Sequence, residues 1–117
     1  MNDKYDMEER VAVFAENVVR FIKKIPKTAE NLPMIIQLTK SGTSVAANYY
    51  EATEGESKKD FSHKIGIAKK EAKETKLWLR LIVVSEPSLR DEARILYKEV
   101  QEFILMFSKI RKTCNEK

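Results

Sequence analysis

Residues 57–85 read SKKDFSHKIGIAKKEAKETKLWLRLIVVS, a stretch without proline and with a single glycine. Its apolar and small residues recur every three or four positions, a spacing that places them on one face of an α-helix. These positions are Phe61, Ile65, Ala68, Ala72, Thr75, Leu79 and Ile82. Ser57 precedes the stretch and Asp60 follows three residues later, which is typical of a helix N-terminus. The segment therefore predicts one long amphipathic helix.

Three short interruptions divide the rest of the chain into segments with the same periodicity. They lie at Pro26, Gly55 and Pro87, residues that commonly end helices or form turns. We expect a first helix over about residues 5–25 and a second that begins near Asn31 as its N-cap.

The fourth segment begins at Ser88, with Asp91 three residues on. Four amphipathic helices joined by short turns favour antiparallel neighbours. The sequence therefore predicts an all-α fold, an antiparallel up-down four-helix bundle, formed by a single domain over residues 1–117.

Composition indicates the cellular compartment in which we expect this bundle. The chain of 117 residues has 22 Lys and Arg against 18 Asp and Glu, a net charge of +4. It has one cysteine, which excludes an internal disulfide and fits a reducing compartment. There is neither a signal-peptide pattern at the N-terminus nor an apolar run long enough to span a membrane. We expect a cytoplasmic protein that has no membrane partner.

The end of the third helix is apolar on almost every side. Leu77, Leu81 and Val84 point roughly opposite its core face, and Trp78 lies on the flank. Exposed apolar surface usually marks an interface, so this pattern predicts self-association. The alternative is that the first helix and the loops bury this end.

The second helix carries a stripe of small polar residues beside its apolar face. The stripe consists of Gln37, Ser41, Ser44, Asn48 and Glu51. Serine and asparagine are weak helix formers, and their short side chains allow close helix packing. We interpret Ser41, Ser44 and Asn48 as a second helix–helix contact, within or between subunits, with a plain exposed face as the alternative.

A ridge of positive charge follows one side of the third helix. It consists of Lys69, Lys73, Lys76 and Arg80. Like charges at this spacing repel one another, and an anionic partner would relieve the repulsion. RNA or DNA is therefore a candidate partner, although a solvated face would give the same pattern.

The residues that usually perform catalysis are sparse. His63 is the only histidine, and Cys114 lies near the C-terminus, so neither a metal cluster nor a nucleophile with a base is evident. The sequence predicts no catalytic, cofactor or metal site, and hence a protein that is not an enzyme.

Two stretches resemble a known family. They are QLTKSGTSVAANYYEA at residues 37–52 and IAKKEAKETKLWLR at residues 67–80. Both are similar to the bacterial four helix bundle protein family, first noticed in intervening sequences of the large ribosomal RNA gene. The resemblance implies a bundle that assembles into a ring-like homopentamer, without an assigned biochemical activity in most members.

A related branch of that family is formed by the accessory proteins of diversity-generating retroelements. This relation implies a second hypothesis, a nucleic-acid-binding accessory factor that works with RNA or a reverse transcriptase. The first hypothesis remains a non-enzymatic, homo-oligomeric structural or interaction module.

Overall fold

The computed structural model describes residues 3–115, which form four α-helices and no strand. The helices are α1 (Asp3–Ile22), α2 (Asn31–Thr53), α3 (Lys58–Ser85) and α4 (Arg90–Asn115), with a 3₁₀ turn at Pro87–Leu89. The prediction of an all-α fold with four helices is confirmed. None of these helices is long and apolar enough to cross a membrane.

Contacts between consecutive helices show that they run antiparallel. Between α2 and α3, Ser85 near the end of α3 bonds to Asn31 at the start of α2. Lys64, near the start of α3, bonds to Glu51 near the end of α2. The helices follow one another around the bundle, and α1 packs more lightly against α4 than against α2.

The core is built around aromatic rings from three helices. Phe14 of α1 meets Phe103 of α4 edge to face, with ring centroids 5.4 Å apart. Phe107 stacks on Phe103 at 6.1 Å and on Tyr49 of α2 at 6.2 Å. Burial of such large side chains is the main favourable contribution to folding. These rings tie α1 and α2 to α4.

The helix ends differ in part from the sequence prediction. Ser57 caps α3 as expected, because its hydroxyl accepts the Asp60 N–H at 3.0 Å. Helix α1 ends at Ile22, three residues early, since Pro26 disfavours helical backbone at Ile25. Ile25 nevertheless stays buried.

The expected N-cap role of Asn31 is wrong. Asn31 is the first residue of α2 and is fully buried, and its backbone N–H donates to the Thr28 hydroxyl at 3.2 Å. Its side-chain amide donates instead to the Pro26 carbonyl at 2.9 Å and to Glu86 at 3.0 Å. Asn31 therefore ties two interhelical turns together rather than capping its own helix.

The start of the fourth helix is also later than expected. Instead of beginning at Ser88, the chain makes the 3₁₀ turn and enters α4 at Arg90. Proline fits the first position of such a turn because it has no N–H to satisfy. The turn reverses the chain within a few residues and places the end of α3 beside the start of α4.

Candidate functional site

The outer face of α3 carries exposed apolar side chains near its C-terminal end. Val84 is 76% exposed and Leu77 is 48% exposed, while Leu81 and Trp78 are half-buried. We call Leu77, Leu81 and Val84 the outer apolar strip. Neither α1 nor the loops cover it, so the alternative of a buried helix end does not hold for Leu77 and Val84.

Helix α2 adds apolar surface at the same end of the bundle. Leu32 is 42% exposed and Ile36 is 62% exposed. Both lie in the first turns of α2, close to the point where Asn31 bonds to Ser85 at the end of α3. Sequence reasoning missed both residues.

The polar stripe of α2 divides into buried and half-buried parts. Ser41 is 2% exposed, and its hydroxyl is hydrogen-bonded to the Thr75 hydroxyl of α3 at 3.1 Å. The helix–helix contact predicted at Ser41 therefore lies within the chain, and Ser41 is not available to a second subunit. Ser44 and Asn48 are half-buried, and the Asn48 amide donates to the Ser44 carbonyl at 2.9 Å.

The basic ridge of α3 lies on the flank that faces α4. Lys69 and Lys76 are half-buried, whereas Lys73 and Arg80 are exposed. The Lys76 ammonium lies 5.2 Å from the ring centre of Tyr97 on α4. This cation–π contact orients the ridge toward the α3–α4 groove.

Helix α4 adds two arginines to this ridge at the turn between the helices. A shallow cavity of about 310 Å³ lies there, and its rim is formed by Arg80 of α3 with Arg90 and Arg94 of α4. The remaining lining residues are Leu79, Val83, Ala93 and Tyr97. Three arginine side chains from two helices thus line one cavity.

A further arginine lies at the other end of the same groove. Arg111 of α4 packs on the backbone of Gly66 in α3, so closely that a Cβ at Gly66 would lie 2.9 Å from the guanidinium carbon. Its Nε is buried and has no hydrogen-bond partner among the described residues. We call the basic face the set Lys69, Lys73, Lys76, Arg80, Arg90, Arg94 and Arg111.

Three carboxylates of α4 pair with cations in or just after α1, away from this groove. Glu99 and Glu102 accept hydrogen bonds from Arg10 of α1 at 2.6 and 3.0 Å. Glu92 pairs with Lys24 at 2.6 Å. Of the ion pairs within residues 7–115, none includes a residue of the basic face.

The carboxylates in the middle of α3 lie on its opposite flank. Burial is the main cause that raises the pKa of Glu71, and the nearby charge of Glu74 raises it further. Lys70 and Lys40 oppose this shift, and Lys40 belongs to α2. Glu71 therefore lies on the α2 side and does not neutralise the basic face.

Sequence reasoning identified the α3 ridge but missed its extension on α4. The signal was present, because Arg90, Arg94 and Tyr97 are spaced by four and three residues and so share one helix face. An antiparallel turn at Pro87 brings that face next to Arg80. The α3 ridge and the arginines of α4 form one surface only when the two helices are placed side by side across the turn.

Metal-binding side chains do not cluster in the part of the chain whose side chains are described. Within residues 7–115 there is no group of three His, Cys, Asp or Glu side chains that could hold a metal ion. His63 is exposed at the start of α3, and Cys114 is a half-buried free thiol at the end of α4.

Comparison with known proteins identifies the family of this chain and a solved structure that is similar to it. The family model described as 23S rRNA-intervening sequence protein matches residues 3–109. A crystal structure of a protein of unknown function from the S23 ribosomal protein family of Bacteroides thetaiotaomicron is similar, with a TM-score of 0.82 and 31% identity. The match covers 90% of this chain and 97% of that one. No curated protein matches this chain. The family resemblance seen in the sequence is confirmed.

Proposed function

This chain belongs to the 23S rRNA-intervening sequence protein family, and we propose that it is a non-enzymatic, homo-oligomeric interaction module of the cytoplasm. The observation that carries this proposal is the outer apolar strip, with Val84 76% exposed. The number of subunits we propose, five, rests on the resemblance of the sequence to ring-forming four-helix bundle proteins.

Burial of the strip by a second copy would stabilise an assembly. Fully burying a leucine or valine side chain contributes about 1.5–3 kcal/mol. Leu77 and Val84, with Leu32 and Ile36 at the same end, are exposed enough to gain a large part of that amount. A few such side chains suffice for the centre of an interface, where most of the binding energy is concentrated.

The mass of the protein in solution tests this proposal. Light scattering at micromolar concentration should give about five chains of 13.6 kDa each. Leu81→Glu should dissociate the assembly, because a carboxylate buried without a partner costs several kcal/mol. Ala47→Glu adds the same charge at an exposed position of α2 and should leave the mass unchanged. A monomeric wild type would refute the proposal.

A second candidate function, a nucleic-acid-binding accessory factor, is favoured by the basic face. Seven cationic side chains on the α3–α4 groove lack an ion-pair partner within residues 7–115. Such a surface attracts the phosphates of RNA or DNA, and its affinity falls steeply with salt because bound counterions are released. The proposed role is binding of RNA or DNA, alone or together with a reverse transcriptase.

The salt dependence of binding tests this second function. Replacing Lys69, Lys73 and Lys76 together by glutamine should reduce the slope of log affinity against log salt by about 2, since each single-strand phosphate contact contributes about 0.7. A control variant with glutamine at Lys23, Lys27 and Lys109, which are exposed elsewhere, should keep the wild-type slope. If wild type binds neither RNA nor DNA at low salt, this function is excluded.

A further inference from the structure

The cavity at the turn between α3 and α4 combines an apolar floor with a cationic rim. Leu79 and Ala93 in its lining are almost fully buried. Arg80, Arg90 and Arg94 are exposed around it. We call this cavity the arginine pocket.

None of the three arginines of the arginine pocket forms an ion pair among residues 7–115. The acidic residues nearest in sequence to its arginines are Glu86, Asp91 and Glu92. Glu86 accepts the Asn31 amide at 3.0 Å, and Glu92 pairs with Lys24 at 2.6 Å. Asp91 is exposed and forms no ion pair among residues 7–115. The three arginines are therefore not neutralised by direct contact with a carboxylate of residues 7–115.

Tyr97 and Lys76 connect the pocket to the rest of the basic face. Tyr97 lines the pocket, and the Lys76 ammonium lies 5.2 Å from the centre of its ring. Lys73 and Lys69 continue the positive charge along α3 toward its N-terminus. A strand bound with one phosphate in the pocket would meet further lysines along this groove.

The chemistry of the rim selects for phosphate among anions of nucleic acids and proteins. Each guanidinium presents planar N–H donors that match two oxygens of one phosphate. Three such groups around one concave site offer more N–H donors than a single carboxylate can accept. A row of lysines would provide charge but not this fork-shaped donor geometry.

We propose that the arginine pocket binds one phosphate group of a nucleic-acid strand, through Arg80, Arg90 and Arg94. This inference rests on the second candidate function and assigns a specific subsite to it. The phosphate is either the 5′-terminal monoester of the strand or an internal diester, and both present oxygens to the same donors.

The first experiment compares two RNA oligonucleotides that carry a 3′ fluorescent label, one with a 5′-phosphate and one with a 5′-hydroxyl. Arg90→Gln should weaken binding about tenfold or more, as expected for loss of a charge-assisted hydrogen bond. If Arg90→Gln loses affinity only for the 5′-phosphorylated strand, the pocket binds the terminal phosphate. If it loses affinity equally for both strands, the pocket binds an internal phosphate. Arg20→Gln is the matched control, because Arg20 is exposed on α1 and bonds to Asn17; it should change binding less than twofold.

A second variant separates donor geometry from charge. Arg94→Lys keeps the positive charge but removes the fork-shaped donors, so it should also weaken binding severalfold. Unchanged binding in both Arg90→Gln and Arg94→Lys would overturn the proposal. A lower oligomer mass for Arg90→Gln would also overturn it, because the pocket would then belong to a subunit interface.

A third measurement uses inorganic phosphate and does not depend on nucleic-acid binding. At matched ionic strength, phosphate should raise the thermal midpoint of wild type relative to chloride, since a ligand of the folded state stabilises it. Arg90→Gln should lose this increase. If phosphate stabilises wild type but no oligonucleotide binds, the nucleic-acid function fails while the phosphate site stands. If oligonucleotides bind and neither phosphate nor Arg90→Gln has an effect, the pocket fails while the function stands.

Discussion

Gly42 and Gly66 offer a matched pair of substitutions in which the same added methyl group has opposite expected effects. Both glycines lie inside helices and neither has a positive φ, so their backbone conformation suits any residue. What differs is the neighbour. A Cβ at Gly42 would lie 2.9 Å and 3.0 Å from the two methyl groups of Val18 in α1, and Val18 is fully buried. A Cβ at Gly66 would instead meet the guanidinium of Arg111 at 2.9 Å.

The two expected magnitudes follow from these neighbours. Alanine is a better helix former than glycine by about 1 kcal/mol, and both variants gain this amount. Val18 is β-branched and enclosed, so Gly42→Ala also incurs an overpacking cost of about 1–3 kcal/mol. Arg111 is half-buried and its flexible side chain can swing into solvent. Gly42→Ala should therefore be destabilised by up to about 2 kcal/mol, whereas Gly66→Ala should be stabilised by about 1 kcal/mol.

Urea unfolding at a fixed protein concentration measures both effects, because the unfolding of an oligomer depends on concentration. Both variants gain the same helix propensity, so the difference between their free energies of unfolding gives the packing cost at Val18. Adding Val18→Ala to Gly42→Ala should remove that packing cost, a coupling that a double-mutant cycle detects. If Gly42→Ala gains as much stability as Gly66→Ala, the close approach of α1 and α2 at this point is refuted.

Two further predictions concern α2 and α3. Glu71→Gln should raise the thermal midpoint at pH 7 and have little effect at pH 4. Burial raises the pKa of Glu71, so its ionised form opposes folding as pH rises through that pKa. An equal effect of the substitution at both pH values would contradict this prediction. Ser41→Lys should destabilise the fold by at least about 3 kcal/mol, since Ser41 is buried against Thr75. Gln37→Lys, at an exposed position of the same helix, should change the unfolding free energy by no more than about 0.5 kcal/mol, and equal effects of the two lysines would contradict burial of Ser41.

The positions of the helices could be predicted because their signals are local. Periodic apolar residues define each helix, and Ser57 is an N-cap whose partner lies three residues away. Asn31 was misassigned because its side chain serves distant partners. It bonds to Ser85 and Glu86, which lie more than 50 residues further along the chain. A capping residue and an interhelical tie can have the same local sequence, and only tertiary packing distinguishes them.

The candidate surfaces were predictable to the extent that each lies on a single helix. The outer apolar strip and the α3 ridge each follow from spacing within one segment. Ser41 shows the limit, because a small polar residue beside an apolar face can meet a helix of its own chain or of another chain. The structure places Thr75 opposite it. The arginine pocket needs two helices and the turn between them, so no single periodic segment contains it.

The separation of charge on α4 explains how a chain of modest net charge forms a strongly basic face. One flank of α4 carries Glu92, Glu99 and Glu102. Glu99 and Glu102 pair with Arg10 within α1, and Glu92 pairs with Lys24 just after its end. These ion pairs help to hold α1 where it packs only lightly against α4. Because these three carboxylates are engaged there, they do not pair with the arginines on the other flank. The field on the α3–α4 groove is thus set by how the charges are sorted between the two flanks of α4, rather than by the total of +4.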